Sequence, residues 1–320
     1  MLRLLRTYWF LLGIGMVLCF ARWAPALGRG LEDHYATKIA VVIFSVSAGM
    51  SVTTANIAAD LKDWKTHGLI QGYNLALTPL FIYLTSFWLT VGPLKQGVFL
   101  VAVVPTTLSS CVAYTAAARG RISCALLNSV GGNLIGVFIS PLLLALMIGS
   151  GQPHGFVAAG RTILDLCLLV LAPLVGGQLC HIRLPRFREW AAPYLPYVGQ
   201  SCVLILMLCA FSKSMDKLAA QLGTAWQVFA YLASAHVLLF AALGAYCRRA
   251  GYARDRTAAA LFCGTQKTMA LGLPMAYSFF AANAALGLIV LPLVFYHCFQ
   301  LIFGSIVIAY WARRPEAGIR

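Results

Sequence analysis

Leu261-Phe-Cys-Gly-Thr-Gln-Lys267-Thr-Met-Ala-Leu-Gly272-Leu-Pro274 interrupts an otherwise apolar run that extends from Arg256 to Ala281. A run of roughly 20 apolar residues is what a helix needs to cross a bilayer. Lys267 lies about 11 residues into it, where a cation costs roughly 3 kcal/mol at the bilayer centre. A lysine at that depth faces the protein interior and by default marks an ion, proton or substrate path. Gly264, Gly272 and Pro274 weaken the helix and remove a backbone donor. The segment therefore unwinds in mid-membrane, which is tolerated only inside protein or against a wet cavity.

The same reading extends over the whole chain of 320 residues, of which 61% are hydrophobic and 10% charged. Its mean hydropathy of +0.82 exceeds what a soluble core of this length requires. Ten spans are expected, over Thr7–Trp23, Ala36–Ala55, Thr66–Thr90, Gly97–Ala118, Ile122–Ile148, Phe156–His181, Tyr194–Ser212, Ala225–Arg248, Arg256–Ala281 and Asn283–Ala312. The connectors are short, so residues 1–320 form one membrane domain. The first run is long for a signal peptide, and Pro25 disfavours cleavage at Ala24-Pro25-Ala26, so it reads as a retained span.

An even number of spans places both termini on one side. The terminal segments and even connectors carry 16 basic residues and the odd connectors seven, so the positive-inside rule puts both termini in the cytoplasm. The net charge of +15 thus belongs to the span ends and the lipid headgroups. No basic stripe interleaved with aromatics suggests nucleic acid.

Ten divides into two inverted halves of five, over residues 1–150 and 151–320, a transporter pattern. The fourth span of each half is broken, by Pro105-Thr-Thr-Leu-Ser-Ser110 and by Gly264-Thr-Gln-Lys-Thr268. Paired interrupted spans point to a binding site near the midplane. Gly136-Val-Phe-Ile-Ser-Pro141 and Gly287-Leu-Ile-Val-Leu-Pro292 share a spacing, a weaker sign of the repeat.

The candidate substrate or ion ligands follow from these breaks. Thr265, Gln266, Lys267 and Thr268 lie in the second, and Thr106, Ser109 and Ser110 in the first. Each hydroxyl taken singly reads as bonded to the carbonyl a turn back; only the clustering raises them. Asn128, Ser129 and Asn133 on span five, and Gln300 on span ten, are polar groups in apolar helices, as fit for helix–helix bonding as for a ligand. His297 belongs behind the ligands, and His236 reads as a hydrogen-bonded tie. Ten cysteines without metal-ligand spacing read as small packing residues. No metal site, cofactor motif, Ser/His/Asp set, HExxH, Walker loop or carboxylate pair gives an enzyme a foothold.

Phe44-Ser-Val-Ser-Ala-Gly49, Asn128-Ser-Val-Gly-Gly-Asn133 through Pro141, Phe262-Cys-Gly-Thr-Gln-Lys-Thr268 and Tyr296-His-Cys-Phe-Gln300 resemble the bile acid:sodium symporter superfamily. They are most similar to its orphan branch, represented in animals by the seventh member of solute carrier family ten. The resemblance implies an all-α polytopic fold of ten helices in two inverted repeats. A core domain with broken, crossed spans four and nine would pack on a panel of spans one, two, six and seven. Solute would bind between them and move with an elevator-like shift of the core.

In sodium-coupled members span nine reads Glu-x-Gly-x-Gln-Asn; here Phe262 replaces the Glu and Lys267 the Asn. The Ser-Asn pair of span four is matched by Ser110-Cys111, and the two hydroxyls of span five by Ala125 and Ser129. A hard cation wants oxygen ligands and a compensating carboxylate, so Lys267 is expected to supply the charge that sodium supplies elsewhere. A lysine so buried can also release its proton, so proton coupling or uncoupled carriage of an anionic solute is expected in place of sodium coupling. The expected function is secondary transport without sodium coupling; the alternative is a membrane regulator of calcium homeostasis. Expected partners are a small-molecule or ion substrate, an organic anion among them, and the bilayer of a plasma or bacterial inner membrane. The sequence carries no signal of oligomeric state. Replacing Lys267 by Met is expected to leave the fold stable, since it removes a buried charge.

Overall fold

A computed structural model describes residues 2–51, 62–90, 92–149, 155–280 and 283–313. Among them the secondary structure is helical, with no strand. Lipid offers backbone groups no partner, so each apolar run satisfies its own carbonyls and amides as a helix. The order is α1 Leu2–Trp23, α2 Pro25–Asp33, α3 Ala36–Ser51, α4 Trp64–Gly72, α5 Thr78–Thr85, α6 Pro93–Val103, α7 Ser109–Ala117 and α8 Ile122–Ile148. The second half continues with α9 Gly155–Leu166, α10 Ala172–Arg183, α11 Pro185–Ala191, α12 Leu195–Ser212, α13 Met215–Ala220, α14 Leu222–Arg249, α15 Arg254–Thr265, α16 Met269–Phe279 and α17 Leu286–Arg313.

A π-helical turn, Tyr73–Leu77, joins α4 to α5, and another, Cys167–Leu171, joins α9 to α10. Among the described residues five helical stretches are long and apolar enough to cross a membrane: Ile122–Ile148, Ala159–Arg183, Leu195–Ser212, Leu222–Arg249 and Leu286–Trp311. The protein is an all-α integral membrane protein. The third apolar run is helical only to Thr85, not Thr90 as expected, because a turn at Ser86–Leu89 precedes Gly92-Pro93. The end of the expected second span, residues 52–55, lies outside the described residues.

Two sets of helices pack closely within themselves and meet where α9 lies on α8 and α16 and α12 on α17. α3 lies along α10 and α12, and α1 and α2 along α12. α6 lies along α17 and α8, while α15 packs on α14, α7, α8 and α4. At the polar ends, Arg121 pairs with Asp255 at 3.0 Å and Arg256 with Asp63 at 3.3 Å, tying the connectors that precede α8, α15 and α4. Burial raises the Asp63 carboxyl, but the hydroxyl and amide of Thr66 and the Arg256 charge outweigh it and hold it below its usual range.

The α3–α10 seam is backbone against backbone. A Cβ on Gly49 would stand 2.0 Å from Leu174 O, and one on Gly177 2.2 Å from Val46 O, whereas one on Gly176 would meet nothing. Small residues let membrane helices approach this closely. Gly49→Ala and Gly177→Ala should each lower thermal stability in detergent by about 1–3 kcal/mol. Gly176→Ala should be neutral or slightly stabilising, since alanine is the better helix former. Equal midpoints for all three variants would contradict this packing.

Candidate functional site

The two broken helices meet at their interruptions. α6 ends at Val103, and Val104 turns extended at ψ 144°; α15 ends at Thr265, and Gln266 turns extended at ψ 150°. Thr268 N–H donates to Pro105 O at 2.9 Å, joining one break to the other. Each break exposes a carbonyl end that a continuous helix would have satisfied.

Lys267 closes the first carbonyl end. Its side chain is fully buried, and Nζ donates to Ala102 O at 2.8 Å, Val104 O at 2.9 Å, Asn74 O at 2.9 Å and Asn74 Oδ1 at 3.1 Å. A neutral amine has two N–H groups and a lone pair, which would face an oxygen. Four oxygens at these distances fit an ammonium with three donors, one of them shared. The cation also stands at the negative end of α6. Among the described residues no carboxylate pairs with it, so backbone dipoles compensate the charge.

Asn74 closes the second carbonyl end. Its Nδ2 lies 3.3 Å from Cys263 O, 3.2 Å from Gly264 O and 3.2 Å from Gln266 O. One amide thus caps α15 and completes the oxygen shell of Lys267. Its position depends on the π-helical turn, in which Thr78 N–H reaches back to Tyr73 O and the Thr78 hydroxyl donates to the same oxygen at 2.9 Å. Asn74 was not among the sequence candidates. The available signal was an amide in the apolar third span, four residues before Thr78-Pro79.

Span ten holds the second break from behind. Gln300 Oε1 accepts the Lys267 N–H at 2.7 Å and its Nε2 donates to Lys267 O at 2.8 Å. His297 Nδ1 lies 2.9 Å from Gln300 Nε2. Tyr296 donates to Thr265 O at 2.8 Å and stands 2.9 Å from His236 Nδ1, the tie expected of that histidine.

Gln266 Oε1 accepts from Thr107 Oγ1 and Ser110 Oγ, both at 2.8 Å. Asn133 Nδ2 donates to Thr106 O at 2.9 Å and Ser129 O at 2.7 Å, and the Ser129 hydroxyl stands 2.8 Å from Cys111 Sγ. Gln266, Lys267, Thr268, Thr106, Ser110, Ser129, Asn133, His297 and Gln300 are therefore brought together. Ser109 is exposed on the first turn of α7. The Thr265 hydroxyl bonds Leu261 O a turn back at 2.7 Å. Asn128 lies at the α4–α8 junction, 2.8 Å from His67 Nδ1 and in hydrogen bonds from Gln71.

Of the positions matched to sodium ligands, Phe262 and Lys267 hold other chemistry. Phe262 is buried among Tyr114, Phe240 and Trp311, at centroid distances of 5.4, 5.8 and 6.0 Å. Among the described residues no group of three or more His, Cys, Asp or Glu side chains could hold a metal ion. The expectation that Lys267→Met would leave the fold stable needs correction. Methionine removes the charge but strands the oxygens of Asn74, Ala102 and Val104, and each unsatisfied buried acceptor costs about 1–3 kcal/mol.

Beside the breaks lies a small cavity of about 30 Å³, about the volume of one water. Phe44 and Ala48 of α3, Leu174 of α10 and Val130 and Asn133 of α8 line it, together with Leu108, Ala270 and Leu271. The last three residues start the second half of each broken helix, so the amino ends of α7 and α16 face this crevice. Its walls are apolar apart from Ser45 and Asn133.

Comparison with known proteins agrees with this architecture. Sodium/bile acid cotransporter 7 of Danio rerio is 28% identical over 317 residues, covering 95% of this chain and 93% of its own. The protein of the same name from Rattus norvegicus is 28% identical over 335 residues, covering 100% and 98%. PA2026 of Pseudomonas aeruginosa is 29% identical over 320 residues, covering 96% and 93%. Residues 8–313 match the SBF-like CPA transporter family, and the chain belongs to that family of membrane transporters.

Proposed function

We propose that this transporter is a secondary carrier in which Lys267 is a permanent internal cation, so that transport proceeds without sodium. The observation that carries this reading is the oxygen shell around Nζ: four acceptors at 2.8–3.1 Å, at the carbonyl end of a broken helix, with the side chain fully buried. A carrier that needs a positive charge at the crossing of its broken helices already contains one. Because the ammonium is fully hydrogen-bonded, it fits a fixed charge better than a proton donor that empties on each cycle.

In this reading α1, α3, α9–α10 and α12 form the panel, and the broken helices with α8, α14 and α17 the moving core. The packing of α3 on α10 and α12, and of α6 on α17 and α8, supports that division, while α9 borders the core through α8 and α16. Ten spans in two inverted halves would put both termini in the cytoplasm, as the distribution of basic residues suggests. The solute would sit in the crevice between α3, α8 and α10. Lys267 and Asn74 cover the negative ends of the breaks, and the amino ends of α7 and α16 face the crevice. Positive helix ends beside apolar walls suit an organic anion with an apolar body.

Three outcomes are expected. Uptake of such anions into proteoliposomes should persist when choline replaces sodium; a steep, saturable sodium requirement would contradict the internal cation. Reporter fusions after Ile148 and at the C-terminus should report opposite sides of the membrane, and two reports from one side would contradict ten spans.

The third concerns the shared shell. Lys267→Met should abolish uptake and cost about 3 kcal/mol of stability. Asn74→Leu should cost a similar amount. Because the two side chains serve one another, the double variant should lose clearly less than the sum. Additive losses in thermal unfolding would contradict a shared shell, and normal uptake by Lys267→Met would reduce the lysine to a structural tie.

A further inference from the structure

A second feature lies at the other end of the first broken span, away from Lys267. A hollow of about 450 Å³ opens between the end of α5, the start of α6 and the end of α8. Tyr83, Phe87, Phe99 and Met147 line it together with the polar Lys95 and Gln96, and the Tyr83 and Phe99 rings lie 5.9 Å apart. Three of its properties together specify an occupant.

The first is uncompensated positive charge. Lys95 Nζ donates one hydrogen bond, to Leu89 O at 2.9 Å, and lies 5.8 Å from the centre of the Phe99 ring. An ammonium has three donors, so among the described residues two remain for an occupant. Among the described residues no carboxylate pairs with Lys95. Gly92, which also lines the hollow, precedes α6 and supplies no side-chain cap to its first turn. A helix amino end beside a free ammonium favours a phosphate.

The second is an unmet acceptor. Among the described residues the buried Gln96 Oε1 has no hydrogen-bond partner. A phosphate alone makes this worse, since it brings only acceptors. The terminal amide torsion of glutamine is soft, so this oxygen can turn to a donor placed in the hollow. The third is the apolar approach. Leu80 and Leu84 on α5 and Phe87 in the turn that follows it are 58%, 62% and 82% exposed, and in an integral membrane protein such a surface faces acyl chains.

We propose that this hollow binds the headgroup of a phospholipid that carries an N–H or O–H donor beyond its phosphate. The phosphate sits at Lys95 and the amino end of α6, the ammonium or glycerol hydroxyl at Gln96 Oε1, and a chain along Phe87 and Leu84. Phosphatidylethanolamine and phosphatidylglycerol meet this description. Phosphatidylcholine does not, because its quaternary nitrogen has no hydrogen to donate. The inference does not depend on what the protein carries.

The test is the thermal unfolding midpoint of the purified, delipidated full chain, titrated with each lipid in detergent. Phosphatidylethanolamine and phosphatidylglycerol should raise the midpoint at concentrations about tenfold lower than phosphatidylcholine, the factor one buried hydrogen bond provides. Inorganic phosphate should leave it unmoved. Lys95→Met should abolish the response to all three lipids, and Lys95→Arg should retain it. Gln96→Leu should erase the preference over phosphatidylcholine while keeping a phosphate-dependent response. Equal responses of the unmodified protein to the three lipids would overturn the proposal, as would an unchanged preference in Gln96→Leu. A full response to inorganic phosphate would overturn the lipid as occupant in favour of a soluble anion.

Discussion

A lysine ammonium held by four oxygens in a helix crossing is the constraint on which the centre of this protein depends. Two helices stop in mid-membrane, and each leaves carbonyls that lipid cannot satisfy. Lys267 Nζ answers Ala102 and Val104 from one side, and Asn74 Nδ2 answers Cys263, Gly264 and Gln266 from the other. The two side chains also bond each other. Burial of a lone charge is expensive, and here aligned carbonyls offset that cost without a carboxylate.

The surrounding helices serve that crossing. α17 clamps the Lys267 peptide through both ends of the Gln300 amide. The π-helical turn of the third apolar run places Asn74 between the breaks. The amino ends of α7 and α16 border an apolar crevice, each with one hydroxyl cap, Thr107 on the Cys111 N–H and Thr268 on the Ala270 N–H. In the proposed mechanism the positive ends of these two helices would bias the crevice toward anions.

Much of this was legible in the sequence for identifiable reasons. Lys267 stood out because no other cation lies so deep in an apolar run, and Gly264 with Pro105 marked the breaks. Gln300 and His297 were found because polar residues on one helix face are unusual in lipid. Asn74 was missed because its role comes from a contact more than 180 residues away along the chain, with Gln266 and Lys267. A π-helical turn has no strong local signature, so nothing beside Asn74 announced its direction. Ser109 was chosen for its place in the first break and Asn128 as an amide in an apolar helix, but helix geometry turns Asn128 toward His67 and leaves Ser109 exposed. The stability of a Lys267→Met chain was misjudged because the sequence shows the charge and not the carbonyls that depend on it.

The central claim is that the lysine occupies the place of a bound ion. Its most direct test is equilibrium binding of radiosodium to the purified, unmodified protein, with and without excess unlabelled sodium. The account predicts no saturable, displaceable binding. Stoichiometric sodium binding that competes with unlabelled sodium and not with choline would contradict it.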